Sequence, residues 1–205
     1  MEIICFDMEG TLTPEIWEKV AENTGLEEFN KTTRDIPSYA ELMDYRLDVM
    51  KANNLKLKDV QDAASELELL PGALEFLSKV REDFQVVILS DTFHEIAKPL
   101  MDKLGHPLLL CHTLEIDNDD NISSYQLRHV TAKKQAILGF KQMGYRCFAA
   151  GDSHNDIQMF EIADKGFFMN APLKISSLHP EIDSFDSYND LEEAILANSI
   201  YANNE

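Results

Sequence analysis

Three apolar runs in this chain each end in oxygen-bearing residues of one chemical character. Ile3-Ile4-Cys5-Phe6 leads into Asp7-Met8-Glu9-Gly10-Thr11-Leu12-Thr13. Val86-Val87-Ile88-Leu89 leads into Ser90-Asp91-Thr92. Cys147-Phe148-Ala149-Ala150 leads into Gly151-Asp152-Ser153-His154-Asn155-Asp156. Any one of them is what a loop after a strand looks like. Three in order, with Lys133 at the start of a helical stretch before the third, form a set. Carboxylates at strand ends suit two tasks, nucleophilic attack and the holding of a hard divalent cation. A phosphate monoester carries nearly two negative charges, so a carboxylate nucleophile needs cations to screen it. A metal ion and a lysine would supply them.

The elements that must position these residues alternate. Five short runs read as buried strands: Ile3–Phe6, Val86–Leu89, Leu108–Leu110, Cys147–Ala150 and Gly166–Met169. Amphipathic stretches of helical length separate them: Glu15–Asn23, Tyr39–Ala52, Gly72–Glu82, Glu95–Leu104, Lys133–Met143, Asn155–Ala163 and Asp190–Asn198. Strand–helix alternation predicts an α/β fold, a Rossmann-like doubly wound parallel sheet covered on both faces. Such sheets bind ligands beyond the carboxyl ends of their strands. Two segments depart from the alternation. Residues 13–70 have helical patterns and no convincing strand, which predicts a small helical cap inserted after the first strand. The core is then residues 1–12 and 71–205. Thr113–Leu127, with Asn118-Asp119-Asp120-Asn121 at its centre, predicts a β-hairpin excursion.

Composition narrows the function classes. The 205 residues are 44% hydrophobic and 27% charged, an ordinary globular balance. No apolar stretch reaches the roughly 18 residues of a membrane span. The acidic start, MEIICFDMEG, lacks the basic region of a signal peptide, so a cytoplasmic location is expected. Three widely spaced cysteines, Cys5, Cys111 and Cys147, suit neither a disulfide framework nor a zinc site. The net charge of −19 repels nucleic acid and anionic membranes, so neither is an expected partner. It repels a free phosphate ester too, and a site for one needs local positive charge. The histidines lack metal-ligand spacing and read as surface or packing residues. The pattern leaves the oligomeric state open between monomer and homodimer.

The D-x-[DE]-G-T start, the apolar run ending in Ser90, Lys133, and G-D-x-x-N-D match the motifs of the haloacid dehalogenase-like phosphatase superfamily in order. Within it the chain resembles the phosphoserine phosphatases. More narrowly, it resembles the phosphoserine:homoserine phosphotransferase group, through Asp-x-Glu, Thr32-Thr33-Arg34-Asp35-Ile36-Pro37 and Leu89-Ser90-Asp91-Thr92-Phe93. The resemblance implies Asp7 as nucleophile and an aspartyl-phosphate intermediate. It implies Mg²⁺ held by the Asp7 carboxylate, the Glu9 backbone carbonyl and the Asp152 carboxylate, with Asp156 behind them. Ser90 and the Asp91 N–H would bind phosphoryl oxygens, Lys133 would face both phosphoryl group and nucleophile, and Asn155 would contact substrate. Glu15 would pair with a substrate ammonium, at a spacing shifted by one residue. Arg46 would pair with a substrate carboxylate, with Arg34 a second candidate.

Glu9 is the departure that matters most. Most members of the superfamily have Asp at this place, as the general acid–base. The extra methylene changes how the carboxyl group approaches. Slower hydrolysis of the phosphoenzyme would leave time for homoserine as acceptor. The implied function is Mg²⁺-dependent phosphoserine hydrolysis with transfer to homoserine. Two alternatives stay open: a phosphatase for a sugar phosphate or nucleotide, and a silent binding module.

Overall fold

The structure, a computed structural model, describes residues 1–201. Seven strands form one sheet in the order β4-β3-β2-β1-β5-β6-β7. They are β1 (Glu2–Phe6), β2 (Gln85–Phe93), β3 (Leu108–Ile116), β4 (Ile122–Gln126), β5 (Arg146–Gly151), β6 (Lys165–Met169) and β7 (Asp183–Phe185). All neighbours are parallel except β3 and β4. The helices are α1 (Ile16–Thr24), α2 (Tyr39–Ala52), α3 (Leu57–Glu66), α4 (Ala73–Asp83), α5 (His94–Lys103), α6 (Ala132–Gln142), α7 (Ile157–Phe160), α8 (Leu173–Ser176) and α9 (Tyr188–Asn198). None of them is long and apolar enough to cross a membrane.

β1 is central, and all five of its residues are buried. Its side chains alternate between two cores, as the strand period of two requires. Ile4 and Phe6 join Ile88, Phe148 and Phe167 on the face covered by α4 and α9. Ile3 and Cys5 join Val87, Leu89, Cys147 and Ala149 on the face covered by α6 and α7. A strand buried on both sides shows no polar alternation, which is why these runs are continuously apolar. The strand order reverses at β1: the chain moves outward through β2 and β3, then returns to β5. Phe6 pairs with Ile88 on one side and Ala150 on the other, so the residues that follow them, Asp7, Leu89–Ser90 and Gly151, come side by side.

Residues 13–70 hold α1, a short 3₁₀ turn at Glu27–Asn30, α2 and α3, and no strand lies among them. The segment leaves and rejoins the sheet at one place, where the Leu70 N–H donates to the Leu12 carbonyl at 3.0 Å. The excursion at Thr113–Leu127 is a hairpin, but its first arm is the far half of β3 rather than a separate strand. Asp120 at its tip accepts the N–H groups of Leu57 (3.0 Å, through its carbonyl) and Lys58 (3.2 Å, through its carboxylate). It thereby satisfies two otherwise open donors at the start of α3. The Tyr125 hydroxyl lies 2.9 Å from the Ala40 carbonyl and 3.0 Å from Asp44 Oδ1, both on α2.

The sequence pattern overstates one helix. Asn155–Ala163 is a 3₁₀ turn at His154–Asp156 followed by the single turn α7. Asp156 draws the preceding N–H groups onto its own carboxylate and tightens the chain there. β7 is an edge strand of three residues, too short for periodicity to reveal.

Candidate active site

The ends of β1, β2 and β5 open onto a cavity of about 140 Å³, roofed by residues of α1 and α2. Asp7 ends β1. Its N–H donates to the Ala150 carbonyl at 2.9 Å, and its Oδ1 accepts the Met8 N–H at 2.7 Å. The chain then turns sharply, with the Leu12 and Thr13 N–H groups both reaching the Met8 carbonyl. Gly10 makes that turn possible twice over. Its φ of +78° disfavours any side chain, and a Cβ there would stand 2.5 Å from the Asp152 carboxyl group.

Lys133 lies in the first turn of α6, 5% exposed. Its Nζ is 2.9 Å from Asp7 Oδ1 and 2.7 Å from Asp156 Oδ1. The other oxygen of Asp156 accepts from the Asp152 N–H, the Ser153 N–H and the Ser153 hydroxyl at 3.0–3.1 Å. Asp156 is fully buried and engaged on both oxygens, so it braces the site from beneath. One oxygen each of Asp7, Asp152 and Asp156 lies within 4.8 Å of the others. Three carboxylates thus crowd together, and the one ammonium beside them pairs with two. Burial and the Asp156 charge push the Asp7 carboxyl well above its usual range. Burial and Asp156 push Asp152 up to about 7. This hard-oxygen donor set, short of positive charge, fits a magnesium ion.

In the second half of β2, Ser90 is buried and its hydroxyl accepts the Thr92 N–H at 3.2 Å. The Asp91 carbonyl accepts a hydrogen bond from the Tyr39 hydroxyl, on α2. Burial works to raise the Asp91 carboxyl, but Lys133 and His112 outweigh it and hold the group low.

The roof carries Glu9, Glu15 and Arg46. Glu9 Oε2 accepts the Ile16 N–H at 2.9 Å, so Glu9 caps α1 in place of the residue at the helix start. Burial and the adjacent Glu15 push Glu9 up to about 8. Glu15 is itself raised by burial and by Glu18. Arg46 is 7% exposed, with its guanidinium 4.6 Å over the Trp17 ring and one terminal nitrogen donating to the Lys31 carbonyl at 3.0 Å. Its Nε is buried and has no hydrogen-bond partner among the described residues. Burial lowers its pKa, opposed by Tyr39, Glu9 and Glu15.

Asp7, Glu9, Glu15, Arg46, Ser90, Asp91, Lys133, Asp152 and Asn155 all line the one cavity, and Arg34 joins them. Sequence reasoning missed Tyr39 and Trp17, whose partners lie far along the chain. A larger cavity of about 780 Å³ borders Glu15 beside α4 and α9, but neither Asp7, Ser90 nor Lys133 lines it. Size alone does not locate the chemistry. The smaller cavity suits cation-assisted attack by a carboxylate on an anionic electrophile.

Residues 4–161 match the haloacid dehalogenase-like hydrolase family. Among curated relatives, phosphoserine phosphatase ThrH of Pseudomonas aeruginosa is 47% identical over 196 residues, covering 96% of each chain. A phosphoserine phosphatase of Pseudomonas syringae pv. tomato is also 47% identical, over 96% of this chain and 83% of that protein. Among solved structures, a phospho-aspartyl intermediate analogue of phosphoserine phosphatase superposes with a TM-score of 0.78. It is 19% identical and covers 94% of this chain and 98% of that one. A substrate-bound phosphoserine phosphatase complex gives a TM-score of 0.78 at 20% identity, over 95% and 96% of the two chains. The solved structures share the fold, the curated relatives share nearly half the sequence, and the chain belongs to the haloacid dehalogenase-like hydrolases.

Proposed function

We propose that this protein is a Mg²⁺-dependent phosphoserine phosphatase that also passes the phosphoryl group to homoserine. The observation that carries the substrate assignment is Arg46, a buried guanidinium with an unpartnered Nε in the wall of a cavity that also holds Asp7 and Lys133. A buried unpaired donor is costly, and an anionic ligand removes the cost. A sugar phosphate or nucleotide has no α-carboxylate to offer it. Glu15, in the same cavity, suits the ammonium of an amino acid. The two curated relatives are both named phosphoserine phosphatases.

Asp7 attacks phosphorus, forming an aspartyl-phosphate as the ester P–O bond breaks. Glu9, pushed up to about 8, holds a proton near neutral pH and gives it to the leaving alkoxide. Glu9 then takes a proton from water or from the homoserine hydroxyl as that oxygen attacks phosphorus and frees Asp7. Lys133 neutralises part of the charge on Asp7. Asp7, Asp152 and the Glu9 carbonyl would hold Mg²⁺, which would supply the positive charge that lets a carboxylate approach an anionic phosphoryl group. Residues 13–70 act as the cap that reads the amino-acid end of the substrate, over a core of residues 1–12 and 71–205.

The test measures free phosphate and phosphohomoserine together from labelled phosphoserine, with Mg²⁺ and a homoserine titration. Arg46→Lys should raise KM for phosphoserine by about 1.5–3 kcal/mol in binding. A chromogenic phosphate ester without a carboxylate should be affected little. Equal effects on both substrates would remove the amino-acid assignment.

A further inference from the structure

We propose that His112 is a positioning residue, whose ring fixes Asp91 and with it the Ser90–Thr92 segment that faces the cavity. The inference rests on reading that cavity as the phosphoryl-transfer site. His112 lies on β3, is 2% exposed, and does not itself line the cavity. Both ring nitrogens are committed. Nδ1 accepts the Arg128 backbone N–H at 3.1 Å, so the ring proton sits on Nε2. Nε2 faces Asp91 Oδ1 at 3.5 Å.

The strand register explains why Asp91 needs holding. β2 and β3 pair at Leu89↔Leu110, and the pairing resumes only at Phe93↔His112. Ser90, Asp91 and Thr92 therefore stand opposite Cys111 alone. A bulge takes its residues off the ladder and bends the strand. It can aim N–H groups and the Ser90 hydroxyl at a ligand, but the ladder no longer fixes their direction. His112 stands at the residue where pairing resumes and holds the bulge by the Asp91 carboxylate. Tyr39 holds it as well, by the Asp91 carbonyl. The Tyr39 ring in turn lies 5.8 Å from His112 and 6.5 Å from Phe93. An apolar side chain would fill the same space without gripping Asp91.

A double-mutant cycle tests this: His112→Phe, Asp91→Asn and the combination, read as kcat/KM for phosphoserine with Mg²⁺. His112→Gln is added, since its amide can donate at the reach of Nε2. His112→Phe should lower kcat/KM by about 10–100-fold, as for residues that orient a ligand-binding group. His112→Gln should recover most of the loss, and with Asp91→Asn in place the His112→Phe change should matter by less than about threefold. An equal loss in both backgrounds, or no rescue by glutamine, overturns the proposal. A wild-type enzyme without phosphoserine turnover would overturn the reading of the site instead. The proposal is then decided on the metal-free protein by long-range ¹H–¹⁵N spectra of His112. An Nε2–H tautomer that responds to Asp91→Asn supports it, and an Nδ1–H tautomer overturns it.

Discussion

Glu9 serves two structures with one carboxyl group. One oxygen caps α1, and burial beside Glu15 raises the group to about 8. Shortening it therefore moves both the cap and the proton. Glu9→Gln should slow release of phosphate and phosphohomoserine alike, by about 10²–10⁴-fold, because an amide shuttles no proton. Glu9→Asp should raise the ratio of free phosphate to phosphohomoserine. On the proposed mechanism both products leave one phosphoenzyme, so the ratio would isolate its second step. An unchanged ratio would place acceptor choice among residues 13–70. Asp7→Asn should reduce turnover to background with an unchanged circular dichroism spectrum, since an amide is no nucleophile here. Placement in the site was legible in the sequence where spacing along the chain carried it, as for Asp7 with Glu9 and Asp152 with Asp156. Tyr39 and His112 were not, because they meet Asp91 only through the fold.

Among the elements, the β3–β4 hairpin ties the sheet to the helical segment. Asp120 reaches the start of α3 and Tyr125 reaches α2. Tyr125→Phe removes the hydroxyl contacts to Ala40 and Asp44. It should cost about 1 kcal/mol, or roughly 2–4 °C in Tm at this chain length, measured by thermal melts. KM for phosphoserine should rise as α2, which carries Arg46, loosens. The hairpin was visible in the sequence through its polar turn, but its function as a tie was not. α2 was legible to its ends because Ser38 caps it, accepting the Glu41 N–H at 3.3 Å. α3 escaped notice. Its buried face is Leu57, Val60, Ala63 and Ala64, and two alanines give a weak apolar signal.

At the scale of the whole molecule, the site is bought with stability. Asp152 has an ordinary value of 3.8 and is raised to about 7 in the fold. Between those values the folded chain holds a proton that the unfolded chain has released. Its contribution to stability is present below about pH 4, falls as pH rises towards 7, and stays lost above. Without metal, Asp152→Asn should therefore melt several degrees above wild type at pH 8, each 1 kcal/mol being worth roughly 2–4 °C. The difference should fade towards pH 4. Added Mg²⁺ should reverse the order, because only the wild-type carboxylate binds it well. Melting curves at three pH values, with chelator and with Mg²⁺, decide the matter.

One backbone hydrogen bond, from the Leu70 N–H to the Leu12 carbonyl, closes the neck of the helical segment. The segment between those residues enters and leaves at two points that are neighbours in space, and the hairpin holds it at its far side. A different insert whose ends match that spacing could be grafted there while β1 keeps its register and Asp7 its place. On the function proposed above, substrate choice and bond-breaking chemistry would then be separately exchangeable, provided that a new insert also met the hairpin contacts that Asp120 and Tyr125 make.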